Sequence, residues 1–125
     1  MRKSLLQVVM VLTVLSLVLS ACGAQAPATE EVVGGFQIPA VEEGKFNVAM
    51  VLIGPHNDGG WSQAHYEGLL EIEKNVPNTH VAYIELVPEG ADSEQVFRSL
   101  ARKGFDLIFG TSFGYMDPME TVAGE

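Results

Sequence analysis

Residues 46–75 read FNVAMVLIGPHNDGGWSQAHYEGLLEIEKN, and their reading decides the fold. Phe46–Ile53 is a continuous apolar run bounded by turn residues, which predicts a strand buried on both faces. Two turn-forming clusters follow, Gly54-Pro55 and Asn57-Asp58-Gly59-Gly60. Trp61, Ala64, Gly68, Leu69 and Ile72 then recur at helical spacing, with Glu67, Glu71, Glu73 and Lys74 between them, so a helix is predicted over Trp61–Asn75. Asn75-Val76-Pro77-Asn78 stops it.

The same alternation continues toward the C-terminus. Val81–Val87 alternates and meets Pro88-Glu89-Gly90, which predicts a second strand. Asp92–Lys103 is predicted as a second helix, with Asp92 as N-cap, Gln95 three residues on, and Gly104 closing it. Phe105–Phe109 is a third short apolar strand, and Gly110–Tyr115 a loop. Asp117-Pro118 reads as an N-cap followed by proline at the first helical position. The order β-α-β-α-β-α implies right-handed crossovers, hence an α/β fold with a parallel sheet covered by helices. Ligands of such sheets bind beyond the carboxyl ends of the strands. The loops there are Gly54–Gly60 and Gly110–Asp117, with Leu86–Ala91 a lesser candidate.

The N-terminus carries a different signal. Arg2 and Lys3 precede the almost wholly apolar Leu5–Leu19, and Leu19-Ser20-Ala21-Cys22 follows. A charged start, an apolar core and small residues before a cut describe a secretory signal over residues 1–21. Leu-Ser-Ala-Cys resembles the lipobox of bacterial lipoproteins, which makes Cys22 the acylated N-terminus and places the protein on the extracytoplasmic face of a cell membrane. Residues 22–44 have the composition of a flexible acidic linker, leaving residues 45–125 as the folded body.

Composition excludes several functions. The chain has 125 residues, one cysteine and a formal net charge of −9. That charge argues against nucleic acid as a partner. A single cysteine forms no intrachain disulfide. Cys22 with His56, His65 and His80, none at paired ligand spacing, gives no metal cluster, and no cofactor is implied. His56, Asp58, Ser62 and His65 lie close in sequence, but no Gly-x-Ser-x-Gly elbow is present and no Walker lysine follows the glycines, so the reading is not an enzyme.

Together, FNVAMVLIGPHNDGGWSQAHYEGL, AYIELVPEGADSEQVFRSLARKGFDLIFGTSFGYMDPMETVA and the lipobox resemble the basic membrane protein (BMP) family, the substrate-binding lipoproteins of ABC importers similar to purine-nucleoside-binding proteins. The resemblance implies a type I periplasmic-binding-protein fold, of which this chain would form part of the N-terminal lobe. It implies a purine-like small-molecule ligand and an ABC permease as partners, beside the lipid membrane reached through acylated Cys22. In nucleoside-binding members the first loop reads Asp-Asp-Lys-Ser-Phe-Asn-Gln, matched here by Asn57-Asp58-Gly59-Gly60-Trp61-Ser62-Gln63. Trp61 thus takes the place of a stacking phenylalanine, and Ser62 that of a ligand-binding asparagine. The later motif Gly-aromatic-x-x-x-Asp matches Ser112-Phe113-Gly114-Tyr115-Met116-Asp117, so Asp117 takes the place of the aspartate that holds base or sugar. The implied ligand-binding set is Asn57, Asp58, Trp61, Ser62, Phe113, Tyr115 and Asp117, with the Gly59 and Gly60 N–H groups assisting.

Each of these residues also has an ordinary reading. Trp61 can be a helix-end core residue, Asp58 a turn former, Asp117 an N-cap, Phe113 and Tyr115 packing beneath the loop. His56 and His65 read as a loop histidine and an exposed helix histidine. Family members are far longer, with a second lobe, and three strands leave an open sheet edge. The expectation is therefore an N-terminal fragment, and the alternative to ligand capture is a truncated product with no binding activity of its own, since a closing cleft takes much of its affinity from the second lobe. Import and ligand sensing share one pocket and stay undivided at the level of sequence.

Overall fold

The computed structural model describes residues 31–125; the expected signal segment and Cys22 lie outside the described residues. β1 (Glu31–Val33) and β2 (Phe36–Ile38) form an antiparallel hairpin, followed by β3 (Phe46–Val51), α1 (Trp61–Asn75), β4 (Thr79–Ile84), α2 (Ala91–Lys103), β5 (Leu107–Gly110), a 3₁₀ turn (Phe113–Tyr115) and α3 (Met116–Ala123). β3 is the central strand of a parallel sheet ordered β4-β3-β5. After Phe46 it is buried throughout, as expected of a continuous apolar run. Its alternate residues, with Leu52 just past its end, feed two cores. Val48, Met50 and Leu52 meet Leu69, Tyr66 and Ile72 of α1 on one face. Ala49 and Val51 meet Val96, Phe97 and Leu100 of α2 on the other. The chain winds from β3 through α1 to β4, then recrosses β3 through α2 to reach β5. The crevice between the carboxyl ends of β3 and β5 is therefore the topological switch point, where sheets of this kind bind ligands.

Several expectations are corrected. Residues 31–44 are not a flexible linker: the hairpin packs Val33, Phe36 and the fully buried Ile38 against the α2-side core. Ile38→Ala is expected to cost about 2–4 kcal/mol, the range for a buried aliphatic truncated to alanine. Chemical denaturation measures it, and an unchanged midpoint would return the segment to linker status. The second strand lies earlier than expected, Thr79–Ile84 in place of Val81–Val87, because Thr79 and His80 pair in register with Phe46 and Asn47. The third is Leu107–Gly110, with Phe105 and Asp106 outside it. Asp92 is not the N-cap of α2. Gly90 holds that position at φ 90°, a conformation glycine adopts without strain, and Asp92 lies in the first turn. Asp117 is likewise inside α3, whose N-cap is Tyr115, so Pro118 sits at the third helical position. Gly104 closes α2 in the left-handed conformation, as expected.

Candidate functional site

Loop Gly54–Gly60 is built around Asp58. One carboxylate oxygen of Asp58 accepts the Gly60 and Gln63 N–H groups at 2.8 and 3.0 Å, and the other accepts Ser62 N–H at 3.0 Å. Three donors at the start of α1 are thereby satisfied from two residues ahead of its glycine N-cap. The Gln63, Gly60 and Ser62 N–H groups hold the Asp58 carboxyl below its ordinary range. Gly59 N–H donates to the Gln63 side chain at 3.1 Å. The Gly59 and Gly60 N–H groups expected to assist a ligand are thus spent inside the loop. Ser62 is 1% exposed and its hydroxyl accepts Gly54 N–H at 3.1 Å, so it faces the loop's interior.

Trp61 stands at the opposite extreme. It is 61% exposed, yet its indole N–H donates to the Thr111 carbonyl at 2.6 Å, spanning from the loop after β3 to the end of β5. The His65 ring lies against it at 4.5 Å between centroids, and His65 Nδ1 is 2.7 Å from the Trp61 carbonyl. An anchored, exposed ring at a switch-point crevice is suited to stacking on a flat ligand. Phe113 is 87% exposed on the loop after β5. Asn57 is exposed on the first loop and Asp117 in the first turn of α3. Tyr115 behaves differently: it is fully buried, edge-on to Phe97 at 5.4 Å, and its hydroxyl donates to the Val87 carbonyl at 2.5 Å. Burial raises its pKa, with the Glu89 charge adding to the effect.

Two acidic residues at this edge carry contacts that sequence reasoning missed. Glu85, just past β4, accepts both the backbone N–H of His56 at 2.7 Å and its Nδ1 at 2.8 Å. These bonds from His56, the backbone one foremost, lower the Glu85 pKa. The His56 ring rests on Tyr66 and Tyr83, so it is a tether of the loop rather than a free loop histidine. Glu89, on the loop after β4, accepts Ser112 O–H at 2.5 Å and Gly114 N–H at 3.2 Å. A charged residue at the carboxyl end of an apolar strand was the available signal for Glu85. The three loops are consequently tied pairwise: first to third by Trp61, first to second by Glu85, second to third by Glu89.

Asp58 and Glu85 both have depressed folded-state pKa values, so their stabilising effect is complete above the ordinary carboxylate pKa of about 4 and is lost as pH falls through the lower folded values. The loop is expected to stay fixed from neutral pH to about pH 4 and to loosen below it. Trp61 emission against pH reads this directly. Asp58→Asn, which keeps one acceptor oxygen and no charge, is expected to flatten part of the acid transition; an unaltered transition would count against the Asp58 anchor.

The family model for "ABC transporter substrate-binding protein PnrA-like" matches residues 45–125. A purine-binding protein of Brucella abortus is 42% identical over 94 residues, 73% of this chain and 27% of that protein. A putative ABC transporter glucose-binding protein of Haloferax volcanii is 42% identical over 77 residues, 62% of this chain and 19% of that protein. The fold resembles an ABC transporter system solute-binding protein of Conexibacter woesei, with TM-score 0.58 and 26% identity over 62% of this chain and 25% of that one. The chain thus spans about a quarter of the proteins it resembles. Its α/β lobe with a parallel sheet is of the type I periplasmic-binding-protein kind. On the match across residues 45–125, the chain belongs to the basic membrane protein (Bmp) family.

Proposed function

We propose that the protein captures a purine nucleoside, nucleobase or similar flat small molecule for an ABC importer and acts by binding, without covalent chemistry. The observation that carries this reading is Trp61, exposed at the switch-point crevice while its N–H is pinned to Thr111. The ring face stacks on the ligand, Phe113 adds a second aromatic surface, and the exposed Asp117 and Asn57 are the polar groups at hand for its edge. Asp58 and Ser62 hold the loop that carries Trp61, and Tyr115 supports the third loop from beneath. The purine-binding relative supports the ligand class. The ABC permease is the partner that receives the loaded protein. Cys22, at the end of Leu-Ser-Ala-Cys, anchors it to lipid on the extracytoplasmic face of the cell membrane, and palmitate labelling lost in Cys22→Ala tests that step.

A second reading has its own support: the Haloferax relative is named for glucose, and an exposed indole also stacks on a sugar ring. Calorimetric titration of the full chain with adenine, adenosine and glucose decides between them. Saturable binding of adenine or adenosine, with none of glucose, is expected. Glucose alone would establish the sugar reading, and no binding of any of the three would overturn both.

A further inference from the structure

We infer that Glu89 is a positioning residue that sets Phe113 at the rim of the crevice, acting through Ser112 and Gly114. The inference rests on the purine-capture reading. Ser112 and Gly114 are the two neighbours of Phe113 in sequence, and the same Glu89 oxygen accepts from both, at 2.5 and 3.2 Å. Phe113 is 87% exposed, so little packing holds it, and its place at the rim is set by the chain on either side. Gly114 shows why the arrangement is specific. Its φ is not positive, so no backbone strain demands glycine there. The Glu89 contact uses the space instead: a Cβ at Gly114 would overlap all the Glu89 carboxyl atoms and push that exposed side chain aside. Glycine at 114 lets the carboxylate lie flat against the chain, and the Glu89 side chain thereby links the β4–α2 loop to the turn that carries Phe113. The next contact along, Trp61 N–H to Thr111 O, fixes the other aromatic residue of the rim against the same loop. The Trp61 ring and the turn that carries Phe113 are therefore set before a ligand arrives, which lowers the ordering cost of binding.

The test is adenosine affinity of the full chain by calorimetry, with thermal melting alongside. Glu89→Ala is expected to weaken binding by about fivefold to tenfold, the scale of one net hydrogen bond, with the melting temperature nearly unchanged because the side chain is exposed. Glu89→Gln keeps the acceptor and is expected to restore most of the affinity. Gly114→Ala is expected to reproduce the loss. In a Phe113→Ala background, Glu89→Ala is expected to add nothing, which a general structural role would not produce. Wild-type affinity in Glu89→Ala would overturn the inference and leave purine capture standing. Equal losses in Glu89→Gln and Glu89→Ala would assign the charge to the ligand itself and overturn the positioning role. Failure of the unaltered chain to bind adenosine or adenine would overturn the capture reading on which the inference rests.

Discussion

Trp61→Ala is expected to weaken purine binding by about 5-fold to 150-fold, while Trp61→Phe retains part of the affinity. Aromatic–base stacking contributes about 1–3 kcal/mol per base, and that range sets the fold-change. Two features place Trp61 toward its upper end. The indole is pinned by its N–H to Thr111 and backed by His65, so little rotamer freedom is lost on binding. It is also the only tryptophan in the chain, so no second indole can replace it. Its exposure means that the substitution leaves the two cores intact, and the variant is expected to melt close to the unaltered protein. Affinity for adenine and adenosine unchanged in Trp61→Ala, measured by calorimetry, would remove stacking on Trp61 from the account.

The largest expected effect on stability belongs to Tyr115. Tyr115→Ala empties a fully buried aromatic site against Phe97 and is expected to cost about 3–5 kcal/mol, a large share of the stability of an ordinary domain. Tyr115→Phe separates packing from polarity. It keeps the ring but strips the Val87 carbonyl of its hydroxyl donor, at an expected cost of about 1–3 kcal/mol if no water replaces it. Purine affinity of folded Tyr115→Phe is expected to match the unaltered protein, since the hydroxyl points into the core. Denaturant unfolding and calorimetry on the same variant give both readings. A large loss of affinity with unchanged stability would return Tyr115 to direct ligand contact.

The contrast between Trp61 and Tyr115 shows what the sequence carries and what it does not. Both are aromatic residues in glycine-containing loops beyond apolar strands, and the local pattern treats them alike. Their opposite exposures are decided by distant partners: Phe97 and the Val87 carbonyl draw Tyr115 inward, and the Thr111 carbonyl holds Trp61 at the surface. β3 and α1 were legible because a buried strand and an amphipathic helix write their periods directly into the chain, and α1 has the expected Trp61–Asn75 bounds. Strand ends were less legible because register is set by the neighbour, as Thr79 and His80 show. The hairpin at residues 31–38 had a local signal in Gly34-Gly35, flanked by Val32-Val33 and Phe36, but its acidic, small-residue surroundings have the composition of a tether. What makes it structure is the burial of Ile38 beside α2, a tertiary fact. The Glu85 and Glu89 ties were invisible for the same reason, since each joins residues more than twenty positions apart.

Asp58 is instructive in the other direction. Its ordinary reading as a turn former describes the bonds it makes, and in the proposed function it serves a ligand only through the loop it holds. Under the proposed function the crevice therefore divides into exposed groups open to a ligand, Trp61, Phe113, Asn57 and Asp117, and groups whose hydrogen bonds tie the loops together, Asp58, Ser62, Glu85, Glu89 and Tyr115.

The central claim is that a purine lies on the face of Trp61, and intrinsic fluorescence tests it most directly, because Trp61 is the chain's single indole. Titration of the full chain with adenosine, excited at the indole band, is expected to give saturable quenching whose midpoint equals the calorimetric affinity. Adenosine binding by calorimetry with no change in Trp61 emission would contradict the account.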